Sequence, residues 1–386
     1  MAIDARVTEL TRRLVAVDSV NPSIDPAHAG EAELAALIAA ELRAAGLEVH
    51  AVGDAARPSL VAVRRGTGGG RTLLLNGHLD TVGVAGYRGD PFDARVQGGR
   101  LHGRGAYDMK AGLAAAIAAA ERLADASLRG DLVLALVADE EYGSIGTEQA
   151  LAELAARGIR PDAAIVLEPT ALDATVAHRG FAWYRLEVEG AAAHGSQPEQ
   201  GVDAIEAALR YAGALRGLDA RLADAPPHPL LGRSTLRIAT IDGGVDAATV
   251  APSCTLTIER RTLPGERPDA VRRELEDALA TADVAPGIRH RLDELVSRAA
   301  FELYERGRTG ILAAVDLAAE RVLGRAPARR GDPWWTDAGL IAEAGTPVVL
   351  IGAGGGGAHA DEEWVELADA GALAELLVAV ASDVCG

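Results

Sequence analysis

The feature that most constrains the fold is a regular alternation of short apolar runs with helix-like runs between Leu60 and Leu167. Apolar runs such as SLVAV, RTLLLNG, DLVLALVAD and DAAIVLE are separated by segments of helical period, one of them rich in alanine. Strands that alternate with helices in this way form βαβ units. The pattern therefore predicts an α/β fold with a mostly parallel sheet and helices on both faces, and functional side chains are expected at the carboxyl ends of its strands.

A different pattern interrupts this domain between residues 181 and 292. Its strand, helix, strand, strand, helix, strand order is typical of a ferredoxin-like α+β domain. The first pattern then returns with the strand PVVLIGAG and a last helix. We therefore predict a main domain of residues 1–180 and 293–386, and an inserted domain of residues 181–292.

The charge balance limits the partners that this chain can bind. Lys and Arg total 38 against 56 Asp and Glu, a formal net charge of −18. This sign repels phosphate backbones and anionic membranes, so neither nucleic acid nor a membrane is an expected partner. The two cysteines cannot form a disulfide framework, and the N-terminal segment has no uninterrupted apolar run typical of a signal peptide. We expect a cytoplasmic protein.

Polar side chains capable of binding a metal close several of the apolar runs. They are His78, Asp80, Asp108, Glu140, Glu141, Glu168 and His359. A mixed set of imidazoles and carboxylates suits zinc or a similar divalent ion. The four carboxylates of Asp108, Glu140, Glu141 and Glu168 would repel one another if they clustered without cations, whereas two divalent ions would offset their charge. Two ions that share a carboxylate can activate water, and hydrolysis of an amide is the expected reaction.

Two pairs within this set have spacings that suggest separate roles. His78 and Asp80 lie two residues apart, so in an extended segment they point the same way. The Asp80 carboxylate is then expected to accept a hydrogen bond from the ring nitrogen of His78 that faces away from the metal. Glu140 and Glu141 precede Gly143 in a turn where adjacent side chains can diverge. One is expected to bind a metal and the other to act on water.

The ordered motifs resemble, over nearly the whole chain, the M20 family of zinc aminoacylases and carboxypeptidases. The resemblance implies that His78 and Glu168 bind one zinc, that Glu141 and His359 bind the other, and that Asp108 bridges both. Cobalt or manganese could replace zinc. The resemblance also implies a cis peptide bond after Asp108.

The same resemblance assigns roles to other residues. It implies that Glu140 is the general base and that Asp80 supports the first histidine ligand. The inserted domain is implied to be a lid and dimerisation domain, in which His194 reaches into the partner subunit's site and stabilises the oxyanion. The segment IERRTLPGE resembles one whose arginine binds the substrate carboxylate, here Arg261, with Arg260 as the alternative.

The metal-binding residues predict a two-metal amide hydrolase, and the resemblance further implies a homodimeric two-zinc enzyme that removes an N-acyl group from an N-acyl-L-amino acid. Acetylornithine deacetylase is the family member that it is expected to resemble most in activity. A carboxypeptidase or dipeptidase, or a succinyl-diaminopimelate desuccinylase, would use the same metal ligands. A catalytically silent binding protein on this scaffold is a further alternative.

The glycines of GAGGGGAHADEEW also match the spacing of a dinucleotide-binding loop, GxGxxG. In such a loop the glycines lead into a helix whose N-terminus binds phosphate. Here the segment AHADEEW follows instead, so we interpret these glycines as a loop that approaches the metal site closely.

Overall fold

The computed structural model describes residues 2–303 and 310–386, and the chain divides into two compact units. The first unit consists of the chain up to Val176 together with Leu303–Arg330 and Thr336–Gly386. The second unit consists of Ala177–Glu302 and Gly331–Trp335, and so extends beyond residues 181–292 on both sides.

The first unit is built around a mixed sheet with helices. Its helices are α1 (Ile3–Val15), α2 (Ala32–Ala44), α3 (Ala111–Arg122), α4 (Ile145–Ala156), α7 (Ile311–Leu323), α8 (Ala338–Glu343) and α9 (Leu367–Cys385). The strands of its main sheet are β1 (Glu48–Asp54), β2 (Arg57–Arg64), β3 (Leu73–His78), β6 (Leu132–Val137), β7 (Ala163–Val166), β8 (Ala174–His178) and β15 (Val348–Leu350), and two short strands, β13 (Phe301–Glu302) and β14 (Arg329–Asp332), pair with β8. In the described part of the chain, no helix combines the length and apolar character needed to cross a membrane.

The sheet is parallel at its centre and antiparallel at its margins. Its order is β1-β2-β6-β3-β7-β15-β8, and the chain pairs β6, β3, β7 and β15 in parallel. The outer pairs β1–β2, β2–β6 and β15–β8 are antiparallel. All six residues of β3 and of β6 are buried, as expected for parallel strands covered on both faces. The predicted α/β fold is confirmed, with parallel pairing among the four central strands.

The alanine-rich helix α3 lies in the core of this unit. Residues 111–120 are all buried, and the helix packs against α1 and α9. Alanine allows this close approach because its side chain adds little width to the helix, and it also has the highest helix propensity. The helix therefore anchors the segment immediately before it, which carries Asp108, to the core of the unit.

A second, small sheet in this unit was not predicted from the sequence. It consists of β4 (Arg95–Gln97), β5 (Arg100–His102), β16 (Gly355–Gly356) and β17 (Trp364–Glu366), in the order β16-β17-β5-β4. Its strands have two or three residues each, too short to show an alternating pattern. By pairing β5 with β17, it brings the segment before Asp108 alongside the segment that carries His359.

The second unit has the predicted ferredoxin-like order. Its elements are β9 (Gly180–Glu189), α5 (Ala204–Asp224), β10 (Thr235–Gly243), β11 (Ser253–Thr262), α6 (Pro268–Ala280) and β12 (Arg289–Arg298). The four strands form an antiparallel sheet in the order β10-β11-β9-β12. Inward residues of β9 and β11 alternate with outward ones, and they pack against α5 and α6. This unit therefore has its own apolar core.

Candidate active site

His78 is the last residue of the central strand β3, and only 1% of it is exposed. Its Nδ1 lies 2.9 Å from the main-chain oxygen of Asp80. Because a carbonyl oxygen can only accept, Nδ1 carries the hydrogen of the neutral ring. The Nε2 lone pair is then free to bind a metal, and this nitrogen faces Asp108 Oδ1 at 3.1 Å and Glu168 Oε1 at 3.8 Å.

Asp108 lies between two groups of potential ligands. One group is His78, Asp108 and Glu168, and the other is Asp108, Glu141 and His359; within each group the ligand atoms lie within 4.8 Å of one another. His359 Nε2 is 3.5 Å from Asp108 Oδ2 and 3.0 Å from Glu141 Oε2. The structure thus brings together the same two sets that the family resemblance implies, with Asp108 common to both.

The prediction that all these residues lie at strand ends of the main sheet is wrong for two of them, Asp108 and His359. Asp108 lies in the turn Ala106–Lys110, which leads into α3, and its own backbone dihedral angles are not helical. His359 lies in the loop between β16 and β17 of the small sheet. The peptide bond from Asp108 to Met109 is cis, as the resemblance implied.

The turn after β6 directs the neighbouring carboxylates Glu140 and Glu141. Asp139 has a left-handed φ of 70°, and its main-chain oxygen accepts hydrogen bonds from the main-chain N–H of Gly143 and Ser144. Aspartate tolerates this conformation better than most residues. The turn ends the strand and allows the Glu141 side chain to approach His359. The predicted divergence of Glu140 and Glu141 requires such a turn.

The Asp80 carboxylate has a different task from the one predicted. Its Oδ1 is 3.7 Å from His78 Nδ1, beyond hydrogen-bonding distance, and the main-chain oxygen of Asp80 takes that place. The carboxylate instead accepts the main-chain N–H groups of Glu140 and Glu141, each at 3.1 Å, and the side-chain amide of Asn21 at 2.8 Å. Asp80 therefore orients both the first histidine and the backbone of the two glutamates.

Burial and mutual charge shift the ionisation of the whole cluster. Burial raises the pKa of Glu140 and of Glu168 well above the usual value, and neighbouring carboxylates add to both shifts. Hydrogen bonds to Asp108 and Glu141 raise the pKa of His359 to about 10. Burial alone would raise the pKa of Asp108, but hydrogen bonds with His359 and His78 outweigh it and lower that pKa. Without a metal the imidazoles therefore supply the positive charge that the carboxylates need.

The glycine-rich segment after β15 passes close to Glu168, as its interpretation as a close-approach loop predicted. A Cβ at Gly352 would lie 2.2 Å from the main-chain oxygen of Glu168, so no larger residue fits there. Thr170 Oγ1 accepts the main-chain N–H of Gly352 at 2.9 Å. Glu168, which follows β7, is thereby fixed with its carboxylate toward His78.

The donors fit a pair of divalent ions. Each group offers one imidazole nitrogen and carboxylate oxygens, which is a ligand set that zinc accepts. Glu141 Oε1 is buried and has no hydrogen-bond partner among residues 2–303 and 310–386. A buried carboxylate oxygen without a partner is costly, and a bound cation would satisfy it.

Sequence reasoning missed several residues that hold this cluster. Glu363 accepts the main-chain N–H of Asp108, and Asn21 donates to both Asp80 and Asp139. Glu363 stands in the acidic run DEE, which resembles a solvated surface segment. Nothing in that run distinguishes Glu363 from Glu362, so the sequence contained no signal for its role.

His194 lies in the second unit and is exposed. Its Nδ1 accepts the main-chain N–H of Ser196 at 3.1 Å, so in the neutral ring the hydrogen is on Nε2. That exposed N–H is available as a donor. The next residue, Gly195, sits where a Cβ would lie 2.7 Å from the main-chain oxygen of Ala248, so only glycine fits there.

The two arginines of IERRTLPGE have different surroundings in the second unit. Arg260 is fully buried, bound to Glu266 and to the main-chain oxygen of its neighbour. Arg261 has 30% of its side chain exposed, and it pairs with Glu259 at 2.9 Å. Arg260 is therefore engaged inside the unit, whereas Arg261 can reach solvent.

Comparison with known proteins identifies several similar chains. Residues 74–383 match the family described as "Peptidase family M20/M25/M40". The chain is 36% identical over 326 residues to a succinyl-diaminopimelate desuccinylase of Methylobacterium sp. (strain 4-46), covering 80% of this chain and 79% of the relative.

Among solved structures, aminopeptidase PepT of Bacillus cereus ATCC 10987 has a TM-score of 0.76 at 22% identity, over 99% of both chains. The YXEP protein of Bacillus subtilis, described as a dinuclear metal binding peptidase from the M20 family, has a TM-score of 0.74 at 16% identity. It covers 99% of this chain and 98% of its own. At these identities, the two structures show the shared fold.

The different surroundings of the two arginines predict different effects of substitution. Arg260→Met should lower the free energy of unfolding by about 1–3 kcal/mol, because Glu266 loses its buried partner. Arg261→Met should change it by less than about 1 kcal/mol, since its ion pair is partly exposed. Urea unfolding followed by circular dichroism measures both values, and equal losses would contradict this distinction.

Proposed function

We propose that this chain, which belongs to peptidase family M20/M25/M40 and hydrolyses amide bonds, is a two-metal deacylase. Its proposed reaction removes the N-succinyl group from an N-succinyl-L-amino acid of the diaminopimelate type. The family match spans every proposed ligand, from His78 to His359. An N-acetylornithine substrate was the first expectation, but the relative named above supports the succinyl alternative instead.

The observation that carries the proposal is the sharing of Asp108 by two groups of ligands. His78 and Glu168 would hold one ion with Asp108, and Glu141 and His359 would hold the other. The bound ions, with zinc as the proposed metal, would polarise the scissile carbonyl and lower the pKa of water. The clustering of these residues and the unpartnered oxygen of Glu141 support this assignment.

Glu140 is the proposed general base. It precedes the ligand Glu141, and Asp80 holds the main-chain N–H of both residues. Glu140 takes a proton from the attacking water and then delivers it to the leaving amine. Burial raises the pKa of Glu140, which makes its carboxylate a stronger acceptor for the proton of water.

Two residues of the second unit have proposed roles in substrate binding. Arg261 binds the substrate α-carboxylate, for which the planar guanidinium provides a matching pair of donors. His194 of a partner subunit donates its Nε2 hydrogen to the carbonyl oxygen as negative charge develops there. The exposure of both side chains supports these roles.

We also propose that the protein is a homodimer formed through the second unit. Strand β10 lies at the edge of its sheet, where it could pair with another chain. Exposed apolar side chains lie on β10, just after it, and on helix α5, which packs against it; they are Ile205, Leu209, Ile241 and Val245. Apolar side chains concentrated beside an open sheet edge support an interface there.

The substrate assignment predicts the outcome of a turnover panel. Chelator-treated protein should regain amine release when zinc is added, with the highest kcat/KM on N-succinyl-L,L-diaminopimelate among N-succinyl, N-acetyl and N-formyl amino acids and dipeptides. A preference for dipeptides would favour the peptidase alternative. Zinc-restored activity confined to N-acetylornithine would contradict the succinyl assignment while leaving the deacylase intact.

The role of Glu140 predicts that Glu140→Gln keeps its metal but loses kcat by at least about 100-fold, as loss of a general base does. Metal content by inductively coupled plasma mass spectrometry and steady-state kinetics measure the two effects. Glu153→Gln, on the surface of α4, is the matched control and should change neither. Activity within a few fold of wild type would remove Glu140 as the base.

The dimer proposal predicts that Leu209→Glu halves the mass measured by light scattering, from twice the 39.8 kDa of one chain to a single copy. The introduced charge would have to be buried in the interface, which is unfavourable. Leu317→Glu is the control, because Leu317 is equally exposed, at 55% against 56%, but lies on α7 of the first unit. If His194 acts across the dimer, the Leu209→Glu monomer also loses activity. A monomeric wild-type protein would contradict the proposal.

A further inference from the structure

Glu363 is a buried carboxylate that the proposed reaction does not use. Only 1% of the residue is exposed, and all its contacts lie in the first unit. Its Oε1 accepts the main-chain N–H of Tyr107 at 2.9 Å and of Asp108 at 3.0 Å. Its Oε2 accepts the main-chain N–H of Gly105 at 2.9 Å and Arg104 Nη1 at 2.8 Å.

These four hydrogen bonds match the capacity of a carboxylate. An ionised carboxylate only accepts, and its two oxygens offer about four lone-pair sites. Three of the donors are backbone N–H groups of a single turn, which would be buried without partners if the carboxylate were absent. The fourth donor, Arg104, supplies the opposite charge that stabilises a buried carboxylate.

The same contacts join two segments that carry ligands of one metal group, the group formed by Asp108, Glu141 and His359. Asp108 belongs to the turn that Glu363 binds, while His359 lies four residues before Glu363 in the same loop. Arg104 Nη2 also donates to the main-chain oxygen of Ala360, the residue after His359, at 2.9 Å. The main-chain N–H of Gly103 donates to the main-chain oxygen of Glu363 at 3.1 Å.

We propose that Glu363 is a positioning residue that fixes the bridging carboxylate of Asp108 and the imidazole of His359 at the separation that two metal ions require. It does this through the backbone: the Glu363 carboxylate holds the N–H of Asp108, and the Arg104 pair holds the His359 loop against the same turn. Groups behind metal ligands commonly change metal affinity by about 10–100-fold when they are altered. This inference rests on the proposed metal site.

Glu363→Gln tests the proposal with the least change in shape. The amide replaces one acceptor oxygen with a donor, which then faces N–H groups or the Arg104 guanidinium. We expect the affinity for the more weakly bound of two Co²⁺ ions to fall by at least about tenfold, with an altered visible absorption spectrum of the cobalt protein. Titration of the metal-free protein followed by visible absorption measures both.

Glu362→Gln is the matched control, since it makes the same chemical change one residue earlier. The Glu362 side chain is 51% exposed, and its contact is with His102 at 3.4 Å. This variant should bind cobalt as wild type does. Thermal unfolding of the metal-free proteins separates positioning from stability alone: a lower Tm for Glu363→Gln with unchanged cobalt affinity and spectrum would overturn the proposal.

The wild-type titration distinguishes failure of this inference from failure of the proposed function. If wild type does not bind two Co²⁺ ions, the two-metal site itself is wrong, and the inference falls with it. If wild type binds two and Glu363→Gln binds them equally well, only the inference fails. Should Glu363→Gln not fold, Arg104→Lys takes its place, because it keeps the charge but cannot maintain both Arg104 contacts. Unchanged cobalt binding by folded Arg104→Lys would then overturn the proposal.

Discussion

The position of the Asp108 carboxylate between two histidines is the feature on which the proposed chemistry depends. Oδ1 lies 3.1 Å from Nε2 of His78, and Oδ2 lies 3.5 Å from Nε2 of His359. These histidines come from different sheets of the first unit, one from a central strand and one from a loop of the small sheet. The parallel strands alone could not assemble this arrangement, because they supply only one side of it.

Two buried carboxylates outside the ligand groups, those of Asp80 and Glu363, hold the turns that carry ligands. Asp80 accepts two N–H groups from the turn that carries Glu140 and Glu141, and Glu363 accepts three from the turn that carries Asp108. A carboxylate suits this task because it offers several acceptor sites and forms strong hydrogen bonds with backbone N–H groups. Each carries a cost of burial, which raises the pKa of Asp80 to about 7. A functional site can tolerate this cost in free energy, because its side chains must be held to within about 0.5 Å of the productive geometry.

The sequence was informative where the chemistry is local or periodic. Buried parallel strands such as β3 and β6 have continuous apolar runs, and the ferredoxin-like order of the second unit follows from alternating strands and helices. The grouping of His78, Asp108 and Glu168 came from the family resemblance and could not have been derived from spacing, since these residues are separated by 30 positions or more.

The sequence was uninformative where a contact joins distant segments or where the relevant atom belongs to the backbone. Glu363 pairs with Arg104 across 259 positions, and no local pattern distinguishes it from the exposed Glu362. The small sheet has strands of two or three residues, too short for periodicity. The main-chain oxygen of Asp80 takes the hydrogen bond expected of its carboxylate, and a sequence pattern of side chains contains no information on that choice.

The most direct test of the account is anomalous diffraction at the zinc absorption edge from crystals grown with Zn²⁺. Two strong peaks are expected in each chain, about 3.5–4 Å apart, the separation typical of such paired sites. Asp108 should lie between them, with His78 and Glu168 at one peak and Glu141 and His359 at the other. A single peak, or two peaks that do not share Asp108, would contradict the two-metal site from which the proposed hydrolysis is derived.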